Sequence, residues 1–169
     1  MNNLDINIHQ ISFGKDKNFK YKGCGNAHTH GMEKYGFFNL CLAVELELQK
    51  TIYILNTVAE LLCNSEEIAP QNLMATHYVD TEDGTNIFKF QLRFVICYDE
   101  LCLLVVLADE NGNFSEDEEC LEPYCYQGLD DEHEIKPLSK GVYDNPLDYL
   151  PTKLQENFKR RILKGDKNK

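Results

Sequence analysis

No apolar run in this 169-residue chain approaches the roughly 18 residues needed to cross a bilayer, which excludes a helical membrane span. The first twenty residues lack the basic-then-apolar order of a signal peptide, so a cytoplasmic protein is expected. Positive charge is scarce: no Lys or Arg stands between Arg93 and Lys136. The net charge of -11 argues against a nucleic-acid binder, which needs basic surface to displace counterions. Several catalytic signatures are missing, among them a Gly-rich phosphate loop, Gly-x-Ser-x-Gly, His-Glu-x-x-His and Cys-x-x-Cys. There is no internal repeat and no low-complexity tract.

What is present suits one globular domain. The chain is 43% hydrophobic, too apolar for disorder and long enough to bury a core without staples. Seven cysteines, an odd number without a signal peptide, point to a reducing compartment. Cys41, Cys63, Cys97 and Cys102 lie in apolar runs and read as small buried hydrophobes. Cys24, Cys120 and Cys125 lie in polar sequence.

Periodicity outlines the elements. Ile6 and Ile8 alternate with polar neighbours, which suits a short strand. Gly14 to Gly36 reads as a long loop with at most short strands. Phe37–Val44 reads as a strand covered on both faces. From Glu45 to Cys63 the period becomes helical, with Leu48, Ile52, Leu55, Val58, Ala59 and Leu62 on one face. Residues 65–72 contain Pro70 and read as loop, and Thr76–Val79 as a brief strand. Phe88 to Cys97 alternates strictly, and Leu101–Ala108 follows after a turn at residues 98–100, so the two form an antiparallel hairpin. Leu147, Leu150, Leu154, Phe158 and Ile162 suggest a C-terminal helix opening near Thr152. The expected fold is α+β: a two-layer, mostly antiparallel sheet of four to five strands on one long helix. Residues 1–150 form the domain and 151–169 a C-terminal helix with a basic tail.

Three segments carry functional chemistry. His28 and His30, two apart in extended chain, point to one face and could ligate one metal. Cys24 could be a third ligand, with Cys120, Cys125 or His77 completing a zinc site. The ordinary reading of both histidines is structural, and no metal is favoured on spacing alone. Asp109, Asn111 and Asn113 imitate the start of a calcium loop, but Phe114 and Cys120 occupy the positions of its glycine and its glutamate, which leaves an ordinary turn. The acidic stretch 109–134 reads either as a solvated face or as a docking surface for a basic protein partner.

The order Asn26-Ala-His-Thr-His-Gly31, Glu33-Lys-Tyr-Gly36, Ile54-Leu-Asn56, Leu107-Ala-Asp-Glu-Asn-Gly-Asn113, Glu122-Pro-Tyr124 and Gln127 resembles the bacterial family called domain of unknown function 4262. The resemblance spans roughly residues 24–127; Ala108 stands where a proline is expected, and 128–169 have no counterpart. It implies a bacterial, cytoplasmic α+β domain and supplies no reaction. Binding candidates are accordingly His28, Thr29, His30, Tyr35, Glu122, Tyr124 and Gln127. Two functions are carried forward. One is an interaction module with an acidic docking surface, of which an immunity-like protein is the concrete version. The other is a small-molecule or metal-dependent enzyme centred on His28-Thr29-His30.

Overall fold

A computed structural model describes residues 4–12, 24–64, 75–80, 87–127 and 135–137, together with Glu156. The expected C-terminal helix, the loop at 65–72 and the acidic residues 128–134 lie outside these, Glu156 of the helix apart.

The fold is α+β. Its strands are β1 (Asn7–Ser12), β2 (Cys24–His30), β3 (Leu40–Val44), β4 (Thr76–Asp80), β5 (Ile87–Cys97), β6 (Glu100–Leu107) and β7 (Ile135–Pro137). The sheet order is β1-β2-β3-β6-β5-β4, and β7 pairs with the far end of β5. Each strand pairing is antiparallel except β3 with β6. The sheet is therefore larger than the four to five strands expected, by β2 and β7. The segment read as loop up to Gly36 contains β2. Gly25, Asn26 and Ala27 are poor strand formers, so the local pattern is silent there. Pairing with β1 on one side and β3 on the other holds the segment extended.

β3 is buried along its whole length at the centre of the sheet, as its continuous apolar run requires. α1 (Leu48–Asn64) crosses one face and buries Thr51, Ile54, Leu55, Val58, Ala59 and Leu62 against it. The buried stripe is rotated from the expected one: Leu48 is exposed, and Thr51 and Ile54 take the inner positions. The main core lies between α1 and this face, with Leu40, Leu42, Phe90, Leu92, Phe94, Leu103 and Val105 from the strands. Alternation sends Cys41, Ala43, Val95, Cys97, Cys102, Leu104 and Val106 to the opposite face, where Phe114 covers them.

That second face is strongly coiled. β3 and β6 separate β2 from β5 in the sheet, yet Asn26 Nδ2 donates to Cys97 Sγ at 3.6 Å. The β5–β6 hairpin thus folds over β2. Its turn residues, Tyr98 (φ 49°) and Asp99 (φ 62°), both have positive φ, the sign pattern of the tight hairpin turn that asparagine and glycine normally occupy. The ring of Tyr98 lies 5.1 Å from that of His28.

Candidate metal centre

His28 and His30 project from β2 on the same side, and the β1–β2 register sets His9 directly opposite His28. Three imidazoles therefore converge on the sheet face away from α1. Ring centroids are 5.6 Å apart for His9–His28, 4.8 Å for His9–His30 and 4.8 Å for His28–His30. One ligand nitrogen from each ring lies within 4.8 Å of the others. A tetrahedral zinc ion with bonds of about 2.0–2.1 Å needs nitrogens about 3.3 Å apart. The rings must close by a rotamer adjustment, and His9 and His30 are the exposed members of the three.

His28 is the fixed member. It is buried, and its Nδ1 lies 3.3 Å from Asn26 Oδ1. Burial holds its imidazole below the ordinary histidine range. Cys97 opposes this, His30 and His9 reinforce it, and Glu100 opposes it. His28 is thus kept neutral, the form that ligates metals. Beside it, hydrogen bonds from Cys102 and Cys41 favour charge on Cys97, against the effect of burial. The reciprocal bond pushes the Cys102 thiol up, and burial pushes Cys41 up. A cavity of about 300 Å³ opens over the cluster, lined by His9, His28, His30, Tyr98, Glu100 and Cys102 among others.

His77, Cys120 and Cys125 do not join this cluster. Cys24 opens β2, four residues before His28. His9 is a member of the cluster that the sequence pattern did not single out. His77 stacks on Phe90, on the helix-bearing face. Cys120 and Cys125 lie beyond the end of β6, near its Leu107 terminus. Burial, then Asp109, pushes the Cys120 thiol up to about 11, and burial also raises Cys125.

The remaining candidates scatter. Thr29 points to the helix-bearing side, where its Oγ1 accepts the Leu40 N–H at 2.8 Å. Tyr35 Oη accepts the Asp5 N–H at 2.7 Å. Glu122, Tyr124 and Gln127 sit past the Leu107 end of β6, about 23 Å from its Glu100 end by strand rise. Glu122 accepts from Tyr126 Oη. Tyr124 packs beside the main core, and burial, with Glu110 and Asp109, raises its phenol. Gln127 is fully buried and serves the backbone: Oε1 accepts the Leu107 N–H at 2.9 Å, and Nε2 donates to Leu107 O at 2.7 Å and to Tyr124 O at 2.9 Å.

The calcium-like loop is organised around Asp109. Its carboxylate accepts N–H groups from Asn111 (2.9 Å), Asn113 (2.8 Å) and Leu121 (2.9 Å). Burial works to raise this carboxyl, but the donors from Leu121, Asn113 and Asn111 outweigh it and hold it below the usual carboxylate range. Donors thus fill the position where a cation would need acceptors. Asp117 caps the Phe114 N–H at 2.7 Å, and Glu116 pairs with Arg93.

Compared with known proteins, the chain matches no family model, no curated protein and no solved structure. Among the described residues, no helix is long and apolar enough to cross a membrane.

Proposed function

We propose that this protein is a zinc-dependent enzyme in which His9, His28 and His30 hold the metal and the adjoining cavity receives a small substrate. The convergence of three imidazoles from two paired strands carries this reading. Three protein ligands with an open fourth position form the ligand set of a catalytic zinc, not of a closed structural one. Zinc bound there would supply a water ionised near neutral pH, which suits metal-assisted hydrolysis. Glu100 lines the same cavity and would be the carboxylate available there for proton exchange. Calorimetric titration of the chelator-treated protein tests the reading. One zinc ion per chain is expected, with binding abolished by His9→Ala and by His30→Ala. Equal zinc uptake by wild type and both variants, or none by wild type at millimolar zinc, would overturn it.

A second reading keeps the acidic docking surface. Glu110, Glu116, Asp117, Glu118, Glu119 and Glu122 are exposed along one short segment, an arrangement that favours a basic partner. Asp109 does not contribute, since it is buried and committed to its own loop. Binding that falls steeply with ionic strength is the signature of this reading.

A further inference from the structure

We propose that Asn26 is the positioning residue of the metal centre: its side-chain carbonyl selects the His28 tautomer with hydrogen on Nδ1 and so turns Nε2 toward His9 and His30. This rests on the zinc reading above. The residue stands two positions before His28 on β2, and therefore on the same face. It is 1% exposed, so water does not compete for its amide. Its Oδ1 lies 3.3 Å from His28 Nδ1. A neutral imidazole has one donor and one acceptor nitrogen, and an acceptor placed at Nδ1 leaves Nε2 as the free lone pair.

The amide also meets Cys97. Asn26 Nδ2 donates to Cys97 Sγ at 3.6 Å. The same thiol lies 3.9 Å from Asn26 Oδ1, to which its S–H can donate, so Cys97 meets both atoms of the amide. A flipped amide would set its NH2 group against Nδ1 and so select the other tautomer. The bond chain thus runs from the thiol cluster through Asn26 to His28. Metal-bound histidines ordinarily use such a partner, and its loss costs about 10–100-fold in metal affinity. The coil of the sheet supplies it here, because Cys97 reaches Asn26 from a strand that is not a neighbour of β2.

The test pairs imidazole nitrogen NMR of the metal-free protein at neutral pH with zinc titration. Wild type should show His28 with hydrogen on Nδ1. Asn26→Leu should move the hydrogen to Nε2 and weaken zinc about 10–100-fold. Asn26→Asp, which keeps the shape and offers only acceptors, should hold the wild-type tautomer and bind zinc at least as tightly. A wild-type His28 with hydrogen on Nε2 overturns the proposal, as does a folded Asn26→Leu variant with unchanged affinity. If wild type takes no zinc, the zinc reading falls and the metal role of Asn26 falls with it. If wild type takes zinc and Asn26→Leu takes it equally well, the role of Asn26 alone falls.

Discussion

Replacing Gln127 by alanine should destabilise the protein by about 4 kcal/mol, because the side chain acts as a missing piece of backbone. The pairing of β3 with β6 ends at Cys41 and Leu104. Three residues further along, the Gln127 amide takes both polar groups of Leu107 and also the carbonyl of Tyr124. Gln127 is fully buried and Leu107 nearly so. Alanine leaves one N–H and two carbonyls without this partner, and each unsatisfied buried group costs about 1–3 kcal/mol. Partial access of water to the Tyr124 carbonyl keeps the sum near the lower end, at about 4 kcal/mol. For a domain of this size, about 2–4 °C of melting temperature is lost per kcal/mol, so the midpoint should fall by about 10 °C. Thermal unfolding by circular dichroism, with urea unfolding as a second measure, reads this directly. Gln127→Glu should be worse, since it aims a buried carboxylate at two carbonyl oxygens. A loss below about 1 kcal/mol for Gln127→Ala, within the range of an ordinary surface change, would refute the reasoning. It would mean that water enters and satisfies Leu107.

The buried His28 also makes stability depend on pH. Its folded value is lowered, whereas the unfolded chain titrates near 6.5, so on acidification the unfolded state takes up its proton first. The contribution is therefore complete above about pH 6.5 and is lost as pH falls through the folded value. In chelator, the melting temperature of wild type should drop more than that of His28→Gln between neutral pH and pH 5, and parallel curves would contradict this. For the acidic surface, a basic protein retained at low salt and released near physiological salt is expected. Charge reversal of Glu118 and Glu119 to lysine should abolish retention, and retention unaffected by salt or by those changes would exclude the docking reading.

Local pattern was enough for most of the fold. β3, α1, β5 and β6 each advertise themselves, because burial on one or both sides imposes a period that is visible within a single segment. The pairing of His28 and His30 on one face was legible for the same reason: two residues apart in extended chain means one side. β2 itself was not legible. Its glycine, asparagine and alanine carry no strand signal, and only the neighbours on either side keep it extended.

The assembly of the site belonged to the tertiary structure. His9 lies on a segment whose alternation was visible, but nothing in that alternation states which strand it will face. The β1–β2 register places it against His28. Asn26 and Cys97 are 71 positions apart and meet only because the sheet coils. Gln127, Tyr124 and Glu122 read as companions of the histidines by motif order, yet β6 carries them to the opposite end of the sheet. Periodicity is a property of one segment and its environment, so a sequence displays it. Register, coil and the distance between strand ends depend on how segments far apart in the chain pack, and these decided which three histidines could share one ion.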